Sequence, residues 1–233
     1  MNAFDLWVTH FLNQFAQRSF VFDQVVSHLT GTKMKGILVF ALLWGVWFHK
    51  SESQTRNRQL VICGFATSIF AIFVARALAL FLPFRVRPIH ASNLDFHKPF
   101  GATGESLIGW SSFPSDHAVF YFCLATCLFL VSKRIGILCY LYTFFVICLP
   151  RLYVGIHYAS DIVVGAILGI AIGSLALNQY VLKFTARLPM RYAEQYPGVF
   201  YAAAFLMSFF GALQFEPLRS AAVFLWHVII PAL

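Results

Sequence analysis

Charge is scarce in this chain. Asp, Glu, Lys and Arg make up 11% of its 233 residues, where a soluble domain carries about a quarter. That shortage removes the solvated faces a soluble fold of this length needs. Apolar residues take their place: 60% of the chain is hydrophobic, in long uninterrupted blocks that no soluble core requires. No CxxC pair occurs among the five cysteines, Cys63, Cys123, Cys127, Cys139 and Cys148. All lie inside apolar runs and their number is odd, which argues for small packing residues over disulfides or metal ligands. No basic segment leading into an apolar core opens the chain, so a cleaved signal peptide is not expected. The formal charge of +8 is spread between apolar blocks. It reads as topology signals and site residues and not as a nucleic-acid surface.

The expected fold is all-α: a polytopic transmembrane helical bundle of about six spans, one membrane-embedded domain over 1–233. Residues 2–30 mix Phe4, Leu6, Trp7, Val8, Phe11, Leu12 and Phe15 with Asn2, Asp5, His10, Asn13, Gln14 and Gln17. That helical spacing predicts an interfacial helix lying on the membrane over 1–30. Spans follow near 34–49, 59–83, 114–132, 135–152, 158–182 and 197–213. At ~1.5 Å per residue most can cross ~30 Å of hydrocarbon. An apolar piece over 218–232, after Pro217, is a seventh, partial helix at most. Lys50, Arg56, Arg58, Lys133, Arg134, Lys183, Arg187 and Arg191 fall on one side of the membrane by alternation. The other side holds an equal number of basic residues. Setting Arg85, Arg87 and Arg151 aside as site residues places the first group in the cytoplasm.

Whatever the sidedness, alternation puts the 84–113 loop, the start of the third span and the 150–158 turn on one face. Polar residues collect there: Arg85 and Arg87 in PFRVRP, Ser115, Asp116 and His117 in PSDH, and Arg151, His157 and Asp161 in PRLYVGIHYASD. An acid beside an imidazole at a membrane entry is costly unless it has a task. His157 and Asp161 are spaced i, i+4, so on one helix the carboxylate can accept the imidazole Nδ1–H and leave Nε2 as nucleophile or base. Pro114 suits a first helical turn, whose N–H groups can meet an anion. Guanidiniums grip phosphate bidentately. The set suits phosphoryl transfer without metal or cofactor. A cation held by His117, His157, Asp116 and Asp161 would be repelled by the arginines.

These three motifs, in this order, resemble the type-2 phosphatidic acid phosphatase family, membrane lipid phosphatases related to vanadium haloperoxidases. The family pattern is Lys-x6-Arg-Pro, Pro-Ser-Gly-His and Ser-Arg-x5-His-x3-Asp, and the likeness covers roughly 76–170. Three positions depart from it. Leu80 stands where the lysine belongs, with Arg76 one turn before and Arg85 shortly after as substitutes. Asp116 replaces the glycine, and Pro150 the serine. The resemblance implies that His157 attacks phosphorus with Asp161 behind it. His117 would protonate the leaving oxygen and then activate water, and Arg87, Arg151, Ser115, Arg85, Asp116 and Arg76 would surround the phosphate. It implies a lipid phosphate or diphosphate substrate at the outer, periplasmic face of a cytoplasmic (inner) membrane. Undecaprenyl diphosphate comes first by similarity to bacterial members with PSDH. Membrane lipids are the expected partners, and nucleic acid is not. A phosphotransferase using the same intermediate and a lipid transporter are the rivals. Gly165, Gly169 and Gly173 are expected to serve helix packing, and Glu105, His90, His97 and Lys98 to be solvated.

Overall fold

The computed structural model describes residues 2–31, 35–102 and 109–214. The chain is an all-helical membrane bundle, with no strand among the described residues. Three helical rods are long and apolar enough to cross a membrane: α4 (Gln54–Phe81), Lys133–Tyr153 and Ala159–Leu177. Three shorter apolar helices stand with them, α3 (Ile37–Phe48), α5 (Asp116–Val131) and α10 (Pro197–Ala212).

α5 is the hub. Its 16 residues reach about 24 Å at ~1.5 Å per residue, short of the hydrocarbon thickness. Ala118, Phe120, Tyr121, Leu124 and Leu128 are nonetheless fully enclosed, because α4, α6 (Lys133–Tyr142) and α8 (Ala159–Gly173) surround the helix. Sides that meet protein need not match the bilayer. Gly165 and Gly169 set the α5–α8 approach: a Cβ on Gly169 would stand 2.4 Å from the Val119 carbonyl oxygen, and one on Gly165 2.8 Å from Ala118 Cβ. Small residues give backbones this closeness where lipid supplies no hydrophobic drive. The five cysteines are free and buried.

The rod Lys133–Tyr153 runs through α6, a π segment (Thr143–Cys148) and α7 (Leu149–Tyr153). Pro150 has no N–H to give an α-helix. The wider turn just before it, closed by the Leu149 amide on Phe144 O, accommodates that loss.

Two expectations are corrected. The N-terminal helix over 1–30 is two helices, α1 (Ala3–Asn13) and α2 (Phe20–Gly31), separated by a turn in which Gln17 takes φ 64°. α1 is also turned around relative to a helix floating on the surface. Asp5, Thr9 and Asn13, four residues apart, are buried against the protein, while Phe4, Trp7 and Phe11 are exposed. In lipid the polar stripe seeks protein partners and the apolar one faces outward. The span over 158–182 ends at Leu177 instead. Asn178 accepts from the Tyr180 and Val181 amides and starts a separate helix, α9 (Gln179–Gln195). An Asn N-cap stabilises that new start. The 218–232 piece and Glu105 lie outside the described residues.

Candidate active site

Three segments are knitted together at one end of the bundle by their backbones. The Ile89 amide bonds Gly155 O at 2.9 Å, the Ser112 amide bonds Arg85 O at 2.9 Å, and the Ser115 amide bonds Asp161 O at 3.2 Å. Gly155 makes the 154–158 turn possible: its φ is +73°, and a Cβ there would meet the Phe96 ring at 2.5 Å.

His157 is 5% exposed. Its Nδ1 lies 2.8 Å from the Ser112 carbonyl oxygen and 3.6 Å from Asp161 Oδ2. A carbonyl only accepts, so Nδ1 carries the proton and Nε2 keeps the lone pair. This differs from a shared helix face. His157 precedes α8, whose N-cap is Tyr158, and Asp161 at the third helical position accepts from the Tyr158 amide at 2.8 Å. The capping box takes one carboxylate oxygen that the i, i+4 spacing assigned to the imidazole. Burial pushes the His157 pKa down to about 4, with Arg87 and Arg151 adding to the fall against the opposing pull of Asp161. The ring is neutral at neutral pH.

The four arginines divide into two pairs. Arg76 is ion-paired to Asp116 at 2.6 Å. Arg85 bridges Asp5 and Asp161, 2.5 Å from each, over the Tyr158 ring. Arg87 and Arg151 are different. Arg87 is buried and donates to backbone carbonyls, Trp110 O at 3.2 Å, Ile156 O at 2.8 Å and Ser111 O at 3.2 Å. Burial pushes its pKa down to about 10. Arg151 is 7% exposed. Its Nη2 donates to His117 Nε2 at 2.5 Å, its carbonyl accepts from the His157 amide at 3.4 Å, and its Nε has no partner among the described residues. Neither guanidinium forms an ion pair with a described carboxylate. Buried charge without a counter-ion is expensive. Two such cations beside two imidazoles prepare a place for an anion.

The remaining expected residues are placed as follows. Ser115 is fully buried at the N-cap of α5, its Oγ 3.5 Å from the Ala118 amide. Pro114 therefore lies before the helix, not in its first turn. Leu80, at the family's lysine position, is 84% exposed on the outside of α4.

Sequence reasoning missed Asp5, Ser112 and Ser160. Asp5 is fully buried and accepts from the Ser160 amide at 2.8 Å, from Ser160 Oγ at 2.7 Å and from Arg85. The signal was present: Asp5, Thr9 and Asn13 recur every fourth residue, a polar stripe that in a lipid-facing helix marks the protein side. Asn13 and Asp23 hold the 97–100 loop in the same manner, Asn13 by bonds of 2.7 and 2.8 Å to the His97 backbone and Asp23 through the Phe100 amide at 3.0 Å; Asp23 also accepts from the Tyr153 hydroxyl of α7.

The chain was compared with known proteins. A family model for the PAP2 superfamily matches residues 59–184. The bacitracin transport permease protein BcrC of Bacillus licheniformis is 26% identical over 137 residues, covering 57% of this chain and 62% of that protein's length. The crystal structure of Aquifex aeolicus LpxE aligns with a TM-score of 0.51 and 25% identity, over 76% of this chain and 96% of that one. A PAP2-type phosphatidylglycerolphosphate phosphatase from Bacillus subtilis aligns with a TM-score of 0.45 and 20% identity, over 79% of this chain and 85% of that one.

Proposed function

The chain belongs to the PAP2 superfamily, and from that premise we propose that it is an integral membrane lipid phosphatase working through a phosphohistidine on His157. The observation that carries this reading is the pair of buried guanidiniums, Arg87 and Arg151, that meet no described carboxylate beside His157 and His117. A phosphate supplies the missing negative charge and accepts from both forks.

His157 Nε2 attacks phosphorus. An N–P bond forms and the P–O bond to the leaving group breaks, releasing a lipid alcohol from a monoester or a lipid phosphate from a diphosphate. His117 gives that oxygen its proton. Arg151, drawn to the phosphate, frees the lone pair of His117 Nε2, which takes up a proton from water before it serves as the acid. Water then attacks phosphorus, the N–P bond breaks, and His117 receives the water's proton. Arg87, Arg151 and Ser115 stabilise the equatorial oxygens. The Ser112 carbonyl and Asp161 stabilise the positive charge that grows on the His157 ring. Arg76 and Asp116 neutralise each other at the rim, and Arg85 acts behind Asp161.

A polyprenyl diphosphate is the preferred substrate class, undecaprenyl diphosphate first, on the PSDH form of the second motif. Trp7 on α1 and Leu80 and Phe81 at the end of α4 are exposed apolar side chains, surface of the kind an isoprenoid tail meets. Phosphatidylglycerophosphate, phosphatidate and lipid A phosphates form the rest of the test panel. The basic residues at the far end support a site on the periplasmic side of the inner membrane, once Arg85, Arg87 and Arg151 are set aside as site residues. Chemistry by two histidines needs no metal. Phosphate release by purified protein in detergent with EDTA, across this panel, tests the whole reading. Turnover that vanishes in His157→Ala supports it. A newly phosphorylated acceptor in place of free phosphate would make the enzyme a phosphotransferase. No turnover by either protein would favour transport, the activity named for the Bacillus licheniformis relative.

A further inference from the structure

We propose that Asp5, brought in by the N-terminal helix, is a positioning residue of the His157 centre: it shares Arg85 with Asp161, so that Asp161 keeps negative charge for the imidazole. The proposal rests on His157 being the nucleophile.

Asp5, Arg85 and Asp161 form a buried row. Arg85 Nη2 lies 2.5 Å from Asp5 Oδ2, and Nη1 lies 2.5 Å from Asp161 Oδ1. One guanidinium between two carboxylates leaves the row with one net negative charge. Without Asp5 the row is neutral and Arg85 belongs to Asp161 alone. The charge matters because His157 gains positive character as its Nε2 bonds phosphorus. Arg87 and Arg151 oppose that change from the phosphate side, with His117 on Arg151 and the Arg76–Asp116 pair beyond. The negative row favours it, together with the Ser112 carbonyl.

Asp5 also holds the geometry. Its Oδ1 accepts from the Ser160 amide at 2.8 Å, an N-terminal donor of α8 with no partner inside the helix. α8 is thus capped from a residue 155 positions away, next to Asp161. Ser160 Oγ ties the same carboxylate to Arg85, at 2.7 and 2.8 Å. The Arg85 carbonyl in turn holds the Ser112 amide, and the Ser112 carbonyl orients His157. Through Arg85, Asp5 grips both groups facing the imidazole N–H.

The test uses the full chain in detergent, comparing wild type, Asp5→Asn, Asp5→Ala and His157→Ala. Asn keeps an oxygen for the Ser160 amide and loses the charge. Removing outer partners of metal-ligating histidines costs about 10–100-fold, and by analogy kcat of Asp5→Asn is expected to fall by that order with KM little changed. The His157 imidazole, followed by NMR and identified by its loss in His157→Ala, should titrate at lower pH in Asp5→Asn than in wild type. Full recovery of kcat in Asp5→Asn relative to Asp5→Ala, with the titration unmoved, would reduce Asp5 to a helix cap and overturn the proposal. If Asp5 variants do not fold, Ser160→Ala takes their place. It cuts the hydroxyl link without touching a charge, and an unchanged kcat counts against the proposal. A wild type that releases no phosphate defeats the phosphatase reading, and the titration then decides the role of Asp5 alone.

Discussion

Arg151→Met separates what this site costs from what it does. The guanidinium is 7% exposed and donates to His117, while its Nε meets nothing among the described residues. Replacing buried ionic groups by apolar ones of similar volume is neutral or stabilising by ~1–4 kcal/mol. One bond to His117 is lost, so the low end applies, about 1 kcal/mol. For a chain of this size that is a rise of about 2–4 °C in Tm. Turnover moves the other way. Losing one preorganised donor to a developing oxyanion costs ~2.7–4 kcal/mol, a fall of about 10²–10³ in kcat/KM. Phosphate release and thermal unfolding in detergent, each with and without inorganic phosphate, measure both. Phosphate should raise the wild-type Tm by mass action and leave the variant nearly unmoved. A variant with a lower Tm that phosphate still protects as well as wild type would refute the anion site.

Other perturbations test separate parts. His117→Ala should lose most on an alkyl phosphate and least on an aryl phosphate, whose leaving group needs little protonation; equal losses on both would remove His117 from the acid role. His157 has a folded pKa pushed down to about 4 by burial, below its unfolded ~6.5. The unfolded chain therefore binds the extra proton between these values, so this histidine's stabilisation is full above ~6.5 and is lost as pH falls toward 4, by up to about 3 kcal/mol. Unfolding across that range should lose this slope in His157→Gln, and an identical slope in both proteins would contradict the burial account. Gly169→Ala puts a methyl 2.4 Å from the Val119 carbonyl oxygen and should cost ~1–3 kcal/mol in detergent unfolding. Gly198→Ala, with nothing within 4 Å, is the control, and equal losses would deny the close α5–α8 contact. A double-mutant cycle on Arg76→Met and Asp116→Asn should show coupling of ~0.5–3 kcal/mol, and strict additivity would show that the pair at 2.6 Å contributes nothing.

The amino-acid order alone determined the class of fold, most of the apolar helices, and which polar residues gather at one end of the bundle. Those readings rest on short-range physics: apolar length against bilayer thickness, and the alternation of spans that returns the PSDH and PRLYVGIHYASD segments to one end. Partner choice was not legible, because it depends on where side chains from distant helices stop. Spacing offered His157 to Asp161, whereas folding gave its N–H to the Ser112 carbonyl and gave Asp161 to Arg85 and the start of α8. Composition laid α1 on the membrane with its polar residues outward, whereas packing turned Asp5 inward to Arg85. A buried charge takes whichever counter-charge the tertiary fold brings within hydrogen-bond reach, and that distance is written in no local stretch of the chain.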